Sequence, residues 1–147
     1  MEKWPVEDIG NDAKLFRRIH FQKIDKKNKT EILPSFFKNT PENDPDLSVD
    51  WEKYITPKGI LELIGKEHKF GTTNFKNPND FLVISVNVGA INELKINQEI
   101  KHTPKQNIPE QIGNPNNRAH SSIIGDKTLE EIRLKISGVS KWEIEPK

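Results

Sequence analysis

Two Arg-x-His triplets stand out in a chain that holds only four arginines and four histidines: Arg18-Ile19-His20 and Arg118-Ala119-His120. Residues two apart on a strand share a face, so each triplet would set a guanidinium beside an imidazole. Such a pair can hold an anionic oxygen and exchange a proton with it. The guanidinium is a fixed bidentate donor, and the imidazole titrates near neutral pH. If the two strands are neighbours, all four groups converge. Ser48 and Asp50 share a face of "LSVDW" (47–51), and Ser121 follows His120 directly. The candidate site is therefore His120 as acid or base, with Asp50 orienting an arginine or an imidazole. Its ligand-binding side chains are Arg17, Arg18, His20, Ser48, Arg118 and Ser121. The opposing reading is structural, because ion pairs and carbonyl contacts are as common a use of such residues as sites. His102 ends an apolar face and reads as a hydrogen-bonded structural histidine; His68, in a charged segment, has no assigned role.

Other chemistries are excluded by what the sequence lacks. There is no cysteine, which removes disulfides, thiolate nucleophiles and cysteine-ligated zinc. The four histidines form no H-x-x-x-H pair, so no metal is expected. No G-x-x-x-x-G-K-[ST], G-x-G-x-x-G or G-x-S-x-G occurs, which removes the usual nucleotide-loop and hydrolase signals.

The elements that must carry these residues can be read from periodicity. "KLFRRIHFQKI" (14–24) predicts a strand with Leu15, Arg17 and Ile19 on one face and Phe16, Arg18 and His20 on the other. If the first face is buried, Arg17 needs a carboxylate or several carbonyls as partners. "PSFFK" (34–38) and "LSVDW" are short apolar segments. "TPKGILELIGK" (56–66) predicts a helix capped by Thr56, with Pro57 in its first turn and Gly65 at its end. "DFLVISVNVGAI" (80–91) predicts a central strand. "NELKINQEIKHTP" (92–104) alternates strictly and predicts a half-buried strand paired with it as a hairpin. "RAHSSIIG" (118–125) predicts a strand, "DKTLEEIRLKISG" (126–138) a helix with Thr128 and Glu131 as a capping box, and "KWEIEP" (141–146) a closing strand.

The 147 residues suit one domain, 1–147, with an irregular N-terminus over 1–13 and long loops at 38–46 and 103–117. The expected class is α+β: a mixed or largely antiparallel sheet of about five to seven strands with two short helices. Hydrophobic residues make up 33% and the mean hydropathy is −0.76, so polar loops dilute an ordinary core. The net charge of +1 gives no overall field towards nucleic acid or a membrane. Locally, "KIDKKNK" (23–29) is basic and "PENDPDLSVDWE" (41–52) acidic, both reading as solvated loops. No apolar run approaches a membrane span, and "MEKWPVEDIGND" lacks the pattern of a secretory signal. A cytoplasmic protein is the default expectation.

Three motif-level resemblances bear on function. "HSSI" (120–123) resembles one half of the paired H-x-[ST]-apolar signature of two-histidine phosphoesterases. "HFQK" (20–23) and "HTPK" (102–105) lack the hydroxyl that the second half needs, so that family is set aside. Arg17 or Arg18, Ser48 and the E-x-E at Glu143–Glu145 resemble the ordered pattern of ADP-ribosyltransferases. That likeness implies NAD as substrate, with Arg18 gripping its phosphates and Glu145 polarising the ribose. The ordered string "LFRRIHF … ILPSFF … LSVDW … NPNNRAHSSIIG" resembles a group of small uncharacterised bacterial proteins, to which no activity attaches. It singles out Arg17, Arg18, Ser48, Asp50, Asn114, Pro115 and His120 as the positions to examine first.

The leading expectation is a cleft that binds an anionic, phosphate-bearing ligand or a nucleic-acid segment. One alternative is a non-enzymatic protein–protein interaction module, half of a two-component bacterial system, with loops 103–117 and 42–52 facing a protein partner. The other is the ADP-ribosyltransferase-like enzyme. The sequence identifies no cofactor and no oligomeric state.

Overall fold

The computed structural model describes residues 2–40 and 44–147. Six runs rich in β-branched and aromatic residues become strands: β1 (Lys14–His20), β2 (Asp46–Trp51), β3 (Phe81–Asn87), β4 (Glu99–His102), β5 (His120–Ile124) and β6 (Ser140–Ile144). They pair in the order β4-β5-β2-β1-β3-β6, every neighbour antiparallel. Helices α1 (Pro57–Ile64), α2 (Val88–Glu93) and α3 (Glu130–Gly138) complete a single-domain α+β fold. No described helix is long and apolar enough to cross a membrane.

Alternation divides the sheet into two unlike faces. One carries Leu15, Ile19, Val49, Ile84, Val86 and Ile123, all buried, and packs against Phe36, Phe37 and Ile136. The two phenylalanines come from "PSFFK", which forms a 3-10 turn over Pro34–Phe37. The other face is covered by helix only in part, where Phe16 and Val83 meet Ile60 and Ile64 of α1. Thr56 caps α1 as expected, its Oγ1 accepting from the Gly59 N–H at 3.0 Å. Beyond α1 this second face presents Arg18, Ser48, Asp50 and His120, polar residues with no helix above them.

The centre of the sheet is split. β1 and β2 pair only at Leu15↔Trp51 and Phe16↔Asp50, whereas β1 pairs with β3 along its whole length. Past Phe16 the two strands part, and the Arg17 guanidinium fills the gap. Its Nη1 donates to the Ser48 carbonyl at 2.9 Å and its Nε to the Phe36 carbonyl at 3.2 Å. Carbonyl partners are thus how the fold accommodates an arginine on its apolar face. Burial, then the neighbouring Arg18 charge, lower its pKa to about 10 against the pull of Asp50, which leaves it protonated at neutral pH.

Several expected elements differ. β1 stops at His20, whose Nδ1 accepts from the Gln22 N–H at 3.2 Å and caps a 3-10 turn over Phe21–Lys23. The strand expected over 80–91 ends at Asn87, whose side chain accepts from the Ala90 N–H at 2.9 Å and starts α2. Strict alternation over 92–104 does not make one strand. Lys95 and Asn97 adopt positive φ (55° and 56°), and only Glu99–His102 extends. β4 therefore pairs with β5, and no β3–β4 hairpin exists. α3 starts after Leu129 without a side-chain cap; Asp126 instead accepts from the Thr128 N–H at 2.8 Å. β5 begins at His120, leaving Arg118 outside the strand. Of the loop expected over 38–46, residues 41–43 lie outside the described residues.

Candidate functional site

The split and the uncovered face together form a polar pocket of about 510 Å³. Its floor is strand: Arg18 from β1, Ser48 and Asp50 from β2, His120 from β5. Antiparallel register sets Asp50 opposite both Phe16 and His120, so these side chains must emerge on one face. Its walls are two loops. One runs from Glu67 to Lys76 and is closed by the bridge His68↔Phe75. The other is the 103–117 loop, folded back on itself through the bridge Lys105↔Asn117 and tied to the first wall by Glu67↔Gly113.

Gly113 is required at that tie. It adopts φ +78°, and a Cβ there would fall 2.1 Å from His68 Nδ1. Only a residue without a side chain lets the loops approach this closely.

Charge within the pocket is arranged as a chain. Arg18 Nη1 lies 2.7 and 2.9 Å from the two Glu67 carboxylate oxygens, and its Nε lies 3.4 Å from Asp50 Oδ2. Lys76 Nζ reaches Glu67 at 2.8 Å. The Asn117 side-chain amide donates to Asp50 Oδ1 at 2.7 Å. Burial opposes the Arg18 charge, but Asp50 and Glu67 outweigh it and raise its pKa. Burial likewise pushes Glu67 up, and Arg18 and Lys76 reverse this, holding the carboxyl below its ordinary range. Lys105, exposed on the pocket wall, has no carboxylate within ion-pair distance among the described residues.

His120 is held by backbone. Its Nδ1 lies 2.8 Å from the Thr103 carbonyl, which fixes the proton there and leaves Nε2 as the acceptor. Nε2 faces Ser48 Oγ at 3.3 Å. The Thr103 N–H donates to the His120 carbonyl at 3.0 Å, so the orienting carbonyl belongs to the same ladder. Burial first, then the Lys105 charge, lower the His120 pKa against the pull of the Thr103 carbonyl. The lowered pKa favours the neutral ring.

The structure gathers Arg18, Ser48, Asp50 and His120, with Arg17 behind them in the split. Asp50 orients an arginine, and the imidazole is oriented by a carbonyl instead. Three expected site residues lie elsewhere. His20 caps its turn and packs against Phe21 and Phe81, with ring centroids 4.8 and 5.3 Å away. Arg118, ahead of β5, lays its guanidinium 4.4 Å from the Tyr54 ring centroid and 6.0 Å from that of Trp4. Ser121 is fully buried on the other face and donates to the Ala119 carbonyl. The two Arg-x-His pairs therefore do not meet; one member of each does. Glu145 borders a separate apolar pocket of about 960 Å³ with Phe21 and Phe81, so the ADP-ribosyltransferase pattern is not assembled around Arg18 and Ser48.

Glu67, Lys76, Thr103, Lys105 and Asn117 were absent from the sequence-based set. A turn signal around Gly71 in "EHKFGTTNFK" would have paired Glu67 with Lys76, whose backbone N–H donates to the Glu67 carbonyl at 2.8 Å. Thr103 and Lys105 carried no signal, since only tertiary pairing brings them to His120. Among the described residues no group of three or more His, Asp or Glu side chains is placed to hold a metal ion. No family model matches the chain, and no curated protein or solved structure matches it; the functional reading rests on the pocket's own geometry.

Proposed function

We propose that this is a small cytoplasmic protein that binds a phosphate-bearing ligand, a nucleotide or a nucleic-acid terminus, in the Ser48–His120 pocket. The observation that carries the reading is the convergence of Arg18, Lys76 and Lys105 with a hydroxyl and an imidazole in one open cavity. Guanidinium and ammonium groups are the usual phosphate donors, and an incoming phosphate can compete with Glu67 for both Arg18 and Lys76. Lys105, with no carboxylate within ion-pair distance among the described residues, can meet it directly. Phe70, fully exposed on the pocket rim, supports a ligand with a planar ring, because a base can stack on an aromatic face.

A thermal-shift series with pyrophosphate, ATP and a short single-stranded RNA tests this. A ligand at about 100 times its Kd adds about 2.7 kcal/mol of stability. Stabilisation by ATP and pyrophosphate is expected, reduced for both by Lys105→Ala. Phe70→Ala should weaken ATP and spare pyrophosphate. No stabilisation by any of the three, or stabilisation indifferent to Lys105→Ala, would contradict the proposal. That outcome would favour the interaction-module reading, which Ile108 and Ile112 support by standing 50% and 86% exposed on the 103–117 loop.

A further inference from the structure

Resting on that phosphate-ligand reading, we propose that Ser48 is a nucleophile with His120 as its general base, acting on a phosphodiester. Three observations join here. Ser48 Oγ lies 3.3 Å from His120 Nε2, and the opposite ring nitrogen is fixed by the Thr103 carbonyl at 2.8 Å. Nucleophile, base and orienting acceptor are thus in line, with a backbone carbonyl in the third place.

Ser48 is also accessible where its neighbours are not. It sits where β1 and β2 part, half-buried, while Ser85, Ser121 and Ser122 on the same sheet are 1%, 0% and 3% exposed. Arg17 anchors the Ser48 carbonyl from behind, so the strand cannot close over the hydroxyl by pairing there.

His102 supplies an internal contrast. It is 1% exposed, its Nδ1 accepts from the Glu7 N–H at 3.0 Å, and its Nε2 lies 2.7 Å from the Arg118 carbonyl. Both its nitrogens are occupied by backbone, as befits a structural histidine. His120 commits one nitrogen to backbone and offers the other to a hydroxyl that faces the cavity. Arg18 and Lys105 line the same pocket as that hydroxyl, and their charges suit the charge that develops on phosphoryl oxygens.

The reaction balances without a cofactor. Ser48 Oγ bonds to phosphorus as its proton passes to His120 Nε2. The P–O bond to the leaving alcohol breaks, and that alcohol takes the proton from Nε2. Water then attacks the phosphoseryl phosphorus, giving its proton to Nε2, and Ser48 Oγ departs and recovers it. The sum is phosphodiester plus water to phosphomonoester plus alcohol.

The test combines a fluorophosphonate probe, read by intact mass and peptide mapping, with release of 4-nitrophenolate from bis(4-nitrophenyl) phosphate. Pyrophosphate stabilisation is measured alongside on the same proteins. Wild type should be labelled at Ser48 and should release nitrophenolate. Ser48→Ala should lose both, and His120→Gln should slow both by at least about 100-fold. Wild type should be stabilised by pyrophosphate, and Lys105→Ala, which leaves Ser48 and His120 in place, should reduce that stabilisation. Absent labelling and absent turnover beside normal pyrophosphate binding would overturn the nucleophile and leave the binding reading standing. Labelling at another residue would also overturn it. Labelling at Ser48 without pyrophosphate or ATP binding would remove the phosphate ester as substrate while keeping the nucleophile.

Discussion

Replacing Arg18 with methionine tests whether the pocket's charge chain holds its walls together. Arg18 bridges Asp50 on the floor and Glu67 on the wall, and the Asp50 side chain is only 4% exposed. Without Arg18, Asp50 keeps one hydrogen bond, from Asn117 at 2.7 Å. Removing one partner of a buried pair costs about 3–5 kcal/mol. Two features lower that figure: the Arg18 side chain is 22% exposed, and Glu67 retains Lys76 at 2.8 Å. A loss of about 2–3 kcal/mol follows, or about 5–10 °C in Tm for a chain of this length. Urea unfolding at pH 7 of wild type, Arg18→Met, Asp50→Asn and the double variant measures it. Asp50→Asn removes the stranded charge and keeps an oxygen for Asn117, so the double variant should recover about 1–2 kcal/mol of the summed single losses. The pH dependence has a definite sign. Glu67 is held below its ordinary value when folded, so its contribution is complete above the carboxylate range and disappears as pH falls through the lowered value. The Arg18→Met deficit should therefore shrink between pH 7 and pH 3. A deficit under about 0.5 kcal/mol, or strict additivity in the cycle, would refute the reasoning.

Other expectations follow from single contacts. Gly113→Ala should lower Tm and displace His68, because its Cβ has no room and its backbone is left-handed; thermal melts with His68 imidazole NMR shifts check both. Arg118→Ala should cost about 1 kcal/mol through lost stacking on Tyr54, with pyrophosphate stabilisation unchanged. Lys127 is 1% exposed, bonded to the carbonyls of Pro45, Ile123 and Gly125, and burial lowers its pKa to about 8 despite Asp46 and Asp44. The unfolded chain binds that proton more tightly, so stability should rise with pH between about 8 and 10.5. Lys127→Met should flatten that rise in Tm measured across the window.

Where local chemistry decides structure, the sequence was legible. Thr56-Pro57 marked the start of α1, and alternation placed Arg18, Ser48 and Asp50 on faces that pairing then aligned. That Arg17 would need a carboxylate or several carbonyls was foreseeable from its position, and the fold supplies carbonyls. Local rules failed where two of them competed. The alternation of Leu94 and Ile96 reads as a strand, yet the Asn87 cap and the positive φ at Lys95 and Asn97 turn that segment into helix and turn. The Arg118–His120 pair failed through a boundary of two residues, since β5 starts at His120. Half the site was invisible because Glu67, Thr103 and Lys105 lie on loops whose places depend on long-range pairing. A backbone carbonyl as the histidine's partner leaves no residue signature at all.

The central claim is that one pocket, floored by β1, β2 and β5, receives a phosphate-bearing ligand. An amide NMR titration with ATP addresses it most directly. Shifts concentrated at residues 17–18, 48–50, 67–76 and 103–120, and lost in Lys105→Ala, are the predicted result. A spectrum unchanged by ATP, or shifts confined to the apolar pocket around Phe21, Phe81 and Ile144, would contradict it.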